Sequence, residues 1–156
     1  KSTLAKEMAL YITIYSPLHM LADLPENYEE RPEALQFMTQ VPTDWHDTEV
    51  LNASIGNYIT MARQDRNSDD WYLGSITDEE GRVLSVPLGF LDADTPYVAE
   101  IYRDGTDAHW DNAPYDMVTE ERLVDNTTDL TLRLAAGGGQ VIRFRPATDE
   151  DVARLE

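Results

Sequence analysis

The chain contains no cysteine, and only Lys1 and Lys6 among its 156 residues are lysine. Without thiols it has no disulfide framework, no thiolate nucleophile and no Cys-based zinc site. Basic residues are scarce altogether, 12 against 30 acidic ones, for a formal net charge of -18. Charge of that sign repels phosphate backbones and anionic lipid heads, so nucleic acid and membrane surfaces are excluded as partners. No apolar run approaches the roughly 18 residues that crossing a bilayer requires. The chain starts at Lys1 without a signal-peptide pattern, and is expected to be a segment of something longer.

What is present is the makeup of a folded domain. Hydrophobic residues are 42% and charged residues 27%, which rules out wholesale disorder. The length suits one domain with an appendage and falls far short of the ~250 residues of a complete catalytic β/α barrel. The acidic, lysine-poor surface fits a salt-adapted source, whose carboxylates stay hydrated when salt screens their repulsion; an ordinary acidic exported protein fits it equally.

Residues 1–45 read as helical and the remainder as strands. Ser2 or Thr3 caps a helix that continues to about Tyr15, ahead of Pro17. Leu4, Met8, Tyr11, Ile12 and Tyr15 make one apolar face, but Ala5, Ala9, Leu10 and Ile14 make the rest apolar too. Such a helix is expected to be buried nearly all round, with cover from polypeptide upstream. A second short helix is expected over Leu18 to Leu24, ending before Pro25, and a third from Pro32 to about Gln40.

From Glu49 onward short runs alternate with turn clusters, the pattern of an antiparallel sandwich or barrel. Eight strands are expected: Glu49 to Ala53, Tyr58 to Gln64, Trp71 to Thr77, Arg82 to Pro87, Tyr97 to Asp104, Met117 to Asp125, Asp129 to Leu134 and Gln140 to Arg145. The last two alternate as half-buried strands should, and Gly137, Gly138 and Gly139 between them read as a hairpin turn. The acidic tail over 147–156 reads as a frayed helix.

Candidate chemistry is thin. Glycosidase work needs two carboxyls roughly 5 to 9.5 Å apart, one of them desolvated. Asp69 with Asp70 and Glu79 with Glu80 are adjacent pairs, but both sit in polar turns and read as solvated. Asp65, Asn67 and Asp69 alternate like the first ligands of a calcium loop, yet Asp70 and Ile76 stand where its Gly and Glu belong, so a polar hairpin is expected. His19, His46 and His109 lack the spacing that puts two imidazoles on one helix face. The glycine triplet leads into a strand rather than a helix N-terminus, which argues against phosphate binding. Trp45, Trp71 and Trp110 are possible sugar platforms, and Trp110, between Asp107 and Asp111, fits best. Trp71 reads as core, and Trp110 more readily packs under its own loop or against a neighbouring domain. No catalytic, cofactor-binding or metal residue is assigned.

Four stretches carry a family resemblance: SPLHMLADLPENYEE (Ser16 to Glu30), RQDRNSDDWYLGSITDE (Arg63 to Glu79), EIYRDG (Glu100 to Gly105) and LAAGGGQVIRF (Leu134 to Phe144). In that order they resemble the end of the barrel and the carboxy-terminal β-domain of glycoside hydrolase family 97. His19 departs from the glutamine expected in relatives, and nothing after Pro146 has a counterpart. The resemblance implies a parent with an amino-terminal β-sandwich domain, a catalytic (β/α)8 barrel and this β-domain. It also implies calcium in the parent's active site, hydrolysis of α-glucosides or α-galactosides, and a periplasmic or extracellular location.

The expectation is therefore a mainly β chain with N-terminal helices: residues 1–45 as the terminal helical segment of a barrel, 46–146 as a Greek-key-like antiparallel β-sandwich, and 147–156 as an acidic tail. Its role would be structural, packed on its own catalytic barrel and amino-terminal domain, with oligosaccharide as the parent's substrate and no cofactor in this segment. The rival expectation is a non-catalytic carbohydrate-binding module centred on Trp110.

Overall fold

In the computed structural model, which describes residues 1–22 and 24–156, helix α1 spans Leu4–Thr13 and is capped by the Thr3 side chain accepting from the Lys6 N–H. Ala5, Met8, Ala9 and Ile12 are buried at helical spacing, the signature of one inward face. Leu4, Leu10 and Tyr11 are only half-buried, and Ile14 and Tyr15 just beyond the helix are 53% and 80% exposed. Burial all round, as expected from composition, is thus corrected to burial of one face. The strands that follow cover one side fully, and the 16–22 segment covers the other only in part, His19 and Met20 meeting Tyr11 there.

Helices α2 (Pro25–Glu29) and α3 (Pro32–Gln40) each begin on a proline. The helix expected over Leu18 to Leu24 is absent: 18–22 and 24 are irregular, and position 23 lies outside the described residues. Pro25 starts a helix instead of ending one. A proline in the first turn has its φ preset and lacks only an N–H that would be unpaired there anyway. Leu24 before it is accordingly extended.

All eight strands form: β1 (Trp45–Ser54), β2 (Tyr58–Asp65), β3 (Trp71–Thr77), β4 (Arg82–Pro87), β5 (Tyr97–Asp104), β6 (Met117–Val124), β7 (Asp129–Leu134) and β8 (Gly139–Pro146). Six make an antiparallel sheet in the order β1-β2-β3-β8-β5-β6, and β4 pairs with β7 in a separate ribbon. The large sheet is the middle of three layers. On one face the ribbon and the 88–91 turn enclose Trp71, Leu73, Tyr97, Ile101, Leu130, Leu132, Ile142 and Phe144. On the other, α1 and α3 enclose Met8, Ile12, Phe37, Met61, Tyr72, Tyr102 and Val141.

Two further expectations are corrected by this layering. β8 is buried on both faces along most of its length, because α1 sits on the side that alternation alone assigned to solvent. The glycine triplet is no hairpin turn, since β7 and β8 belong to different sheets and the chain crosses layers there. Gly137 supplies a positive φ of 63°. A Cβ on Gly138 would collide with the Asp104 carboxylate, and one on Gly139 would come within 2.7 Å of the Lys6 Cα. The corner is glycine because three chain segments meet there with no room for side chains.

The tail folds as α4 (Asp149–Leu155), whose start is a reciprocal capping box of Thr148 and Asp151. It is anchored, as described next, and not frayed.

Candidate functional site

The most organised polar feature is a row of alternating charges on the helix-side face of the sheet, beyond the end of α1. Arg143 donates to Asp70 at 2.8 Å and lies 3.5 Å from Glu100, and Glu100 accepts from Arg145 at 2.8 Å. Arg145 in turn holds Asp151, whose carboxylate also meets Arg154, and Arg154 reaches Glu121. These contacts hold the Asp151 carboxyl well below the ordinary carboxylate range, with the Arg145 hydrogen bonds the largest influence. Beside the row, burial pushes the Tyr72 phenol up to about 12. Asp70, expected as a solvated turn residue, is 9% exposed and paired. Its partner lies 73 residues away, beyond any local reading. The one signal available in sequence was a pair of arginines, 143 and 145, on the same side of an otherwise apolar strand.

Every acid in this row is matched by an arginine, so none stands free as a proton donor or nucleophile. Asp69, Glu79 and Glu80 are exposed. The Asp65 carboxylate accepts from the Asn67 N–H and the Ser68 hydroxyl, closing the β2–β3 hairpin as a polar turn. Among the described residues no three His, Asp or Glu side chains gather closely enough to hold a metal ion. His46 is exposed on β1, His109 stacks on Trp110, and His19 meets the Tyr11 ring edge-on at 4.8 Å.

A third buried acid lies outside this row. Asp104, at the end of β5, is 4% exposed, and one of its oxygens accepts from the Ala135 and Gly139 N–H groups at 2.8 and 2.9 Å. The Thr3 side chain adds a further hydrogen bond, while the other carboxylate oxygen has no partner. Burial is the main influence and raises its pKa. The carboxylate therefore ties the cap of α1 to the glycine corner, and its Asp-Gly signature marked only a turn.

Trp71 is core, as expected, and Trp45 packs edge-on to Tyr72. Trp110 sits on the glycine corner, where a Cβ on Gly137 would come within 2.6 Å of it, and its N–H group of the main chain donates to Ala136. His109 stacks at 5.4 Å and the Lys1 ammonium stands 5.6 Å from its ring centroid. The indole is thus engaged by its own loop and by the chain start.

What remains is a surface. Ile14, Tyr15, Leu18, Met20 and Leu24 are 53 to 80% exposed and Leu21 is 38% exposed, all within a stretch of eleven positions after α1. So many large exposed apolar groups in one segment are of the kind that marks an interaction face. It borders a cleft of about 560 Å³ lined by Tyr11, Tyr28, Arg31, Met38 and Tyr115, in which Arg31 already covers the Tyr115 ring at 4.0 Å.

Comparison with known proteins gives a consistent result. Residues 44–145 match the family model described as glycosyl-hydrolase 97 C-terminal, oligomerisation. The chain is 37% identical over 145 residues to a retaining alpha-galactosidase of Bacteroides thetaiotaomicron, covering 93% of this chain and 21% of that protein. It is 29% identical over 135 residues to a probable retaining alpha-galactosidase of Streptomyces bingchenggensis, covering 86% of this chain and 19% of that protein. Among solved structures, a glycoside hydrolase family 97 enzyme from Pseudoalteromonas sp. strain K8, in complex with panose or with acarbose, superposes with a TM-score of 0.92 at 46% identity, over 94% of this chain and 23% of that one. The chain spans about a fifth of the length of the curated relatives it matches.

Proposed function

We propose that this chain, which belongs to glycoside hydrolase family 97, is the carboxy-terminal structural domain of a larger α-glycosidase, packed against that enzyme's catalytic barrel. The observation that carries the reading is the apolar surface of Ile14, Tyr15, Leu18, Met20 and Leu24. It follows directly on a helix whose outer side is only half-buried, in a chain about one fifth as long as its curated relatives. Left in water, a patch of that size promotes association; pressed against a barrel it supplies the cohesion between domains.

In this reading residues 1–45 are the last helical segment of a (β/α)8 barrel, 46–146 the β-domain and 147–156 a tail latched onto it. The amino-terminal domain and barrel are its partners, and oligosaccharide is the parent's substrate. The catalytic carboxylates and the calcium expected with them belong to the upstream part. Every acid in the charge row here is ion-paired to an arginine, which supports assigning none to this chain. The parent would hydrolyse α-glucosides or α-galactosides in the periplasm or outside the cell, one carboxylic acid protonating the leaving oxygen while a second carboxylate attacks carbon or activates water.

The carbohydrate-module alternative would use Trp110, whose ring is engaged by His109 and Lys1. Two measurements test the structural reading. The 156-residue chain should turn over neither nitrophenyl α-glucoside nor nitrophenyl α-galactoside with calcium, and should show no calorimetric binding of malto-oligosaccharides. Turnover comparable to an intact family enzyme, or binding abolished by Trp110→Ala, would overturn it.

A further inference from the structure

Among the described residues, one buried cation has no counter-ion. Arg63, on β2, is 5% exposed and faces the helix side of the large sheet. Among the described residues no carboxylate lies within ion-pair distance of it, and its Nε has no hydrogen-bond partner. Its one favourable contact of that kind is with the Trp45 ring, 5.6 Å from guanidinium carbon to ring centroid. The contrast with the same face of the sheet is sharp: Arg143 and Arg145, both more exposed, each hold two carboxylates. Removing an ion from water without pairing it is strongly unfavourable, and contact with one aromatic ring offsets only part of that cost.

Arg63 lies two positions along β2 from Met61, which pairs with Gly74 directly beneath Ile12, and so sits near the end of α1 where the apolar segment begins. Burial of His19 itself, and after it the field of Arg63, lower the His19 pKa, and Tyr15 acts on the guanidinium. Tyr15 and His19 both belong to the segment that follows α1. The Nδ1 of His19 is a second buried polar atom without a partner there. A guanidinium whose Nε is unpaired, near a segment of exposed apolar side chains, is suited to receive a single carboxylate from a docking surface: the guanidinium pairs it and the apolar groups exclude water.

We propose that Arg63 receives a carboxylate from the catalytic domain upstream, seated where Ile14, Tyr15, Leu18 and Met20 dock; this rests on the structural reading of the preceding section. Charge favours that occupant over a second copy. Two copies would each bring a charge of -18 and an unserved Arg63 of their own to the contact, whereas an upstream domain needs to supply only one acid against a cation already in place.

The test is a reversal of sign between two proteins. In the 156-residue chain, Arg63→Met removes an unpaired buried charge and should raise Tm by roughly 2–6 °C. In the polypeptide extended upstream through its barrel, the same substitution should lower Tm by a similar amount, with Arg63→Lys intermediate because it keeps the charge and loses the fork. By NMR, the His19 titration midpoint should be higher in the extended protein, where a carboxylate is its new neighbour. A fall in Tm for Arg63→Met in both proteins would overturn the proposal by showing that Arg63 serves this domain itself. So would a rise in both, since no anion then arrives, or a dimer of the 156-residue chain dissolved by Arg63→Met, which would make the occupant a second copy. The double variant Leu18→Glu, Met20→Glu separates the two levels. If it leaves the cooperative unfolding of the extended protein unchanged, docking itself fails; if it uncouples the domains while Arg63→Met shows no reversal, only the carboxylate assignment fails.

Discussion

The Arg145 guanidinium donates to both carboxylate oxygens of Asp151, at 2.7 and 2.9 Å, and so ties the last helix to the middle of the large sheet. Asp151 also closes the capping box of α4 through Thr148. One side chain therefore serves helix initiation and helix attachment together, and its partner arginine is shared with Glu100.

Asp151→Asn should release α4 from the sheet without unfolding the rest. Amide exchange measured residue by residue should quicken across 149–155 and stay unchanged in β3 and β8. The sign with pH follows from the lowered Asp151 pKa: its contribution is fully present above the unfolded value near 4 and is lost as pH falls below it. The pH dependence of α4 protection should therefore be steep below about 4 in the parent chain and nearly flat in the variant. Equal exchange in both proteins at neutral pH would contradict this account.

Asp104 should behave in the opposite sense. Burial raises its pKa, so ionising it in the folded state is penalised once pH exceeds the unfolded value near 4. Asp104→Asn keeps an oxygen for the donors at the glycine corner and needs no ionisation. Above that pH the variant should gain stability relative to the parent chain, the gap growing until Asp104 is ionised in the folded protein, as followed by urea midpoints at several pH values.

The glycine corner admits a sharper test. Gly138→Ala places a methyl group against the Asp104 carboxylate and the Ala135 backbone, neither of which can move without breaking the crossing between layers. The expected loss is ~3 kcal/mol or more by urea unfolding, whereas Gly56→Ala, which meets no atom within 4 Å, should cost only the strain of its positive φ, ~1 kcal/mol.

Packing of α1 can be probed from either side. Met8 is fully buried against the sheet, and Met8→Ala should cost about 2–4 kcal/mol. Gly74→Ala brings a Cβ within 2.7 Å of the Ile12 Cβ and should lift the helix off β3. Fluorescence of a hydrophobic dye should rise in both variants, because the released face adds to the apolar surface already exposed.

The excess of 30 acids over 12 bases sets the expected salt response. Raising sodium chloride from ~0.1 to ~1 M screens the self-repulsion and should raise Tm, since the Debye length shrinks from about 10 to about 3 Å. The short ion pairs of the charge row, partly shielded from solvent, should survive. A Tm that climbs steadily as salt is withdrawn would contradict the salt-adapted reading of the composition.

Where the strands lie was legible in the chain, because alternation of apolar and polar residues and the turn residues between runs are properties of near neighbours. Trp71–Thr77, Arg82–Pro87, Tyr97–Asp104 and Asp129–Leu134 fall end to end where expected. Pro25 was misread since proline both ends a helix and begins one, and only the backbone on each side decides which. The glycine triplet was misread for a related reason: positive φ and close approach are needed equally at a hairpin and at a crossing between layers, and the distinction rests on which strand each neighbour pairs with. Arg63 and Asp70 carried no signal at all in the linear order.

By itself, then, the amino-acid order determined the type of nearly every element, the acidic surface, the absence of thiol chemistry and the family resemblance, all of which depend on residue identity and short spacings. Tertiary structure alone decided that α1 fully buries only one of its faces, that Asp70 is paired with an arginine 73 positions away, and that Arg63 is buried with no acid among the described residues to meet it. Burial and pairing are sums over neighbours in space. In a sheet whose strand order departs from chain order, those neighbours cannot be read along the chain.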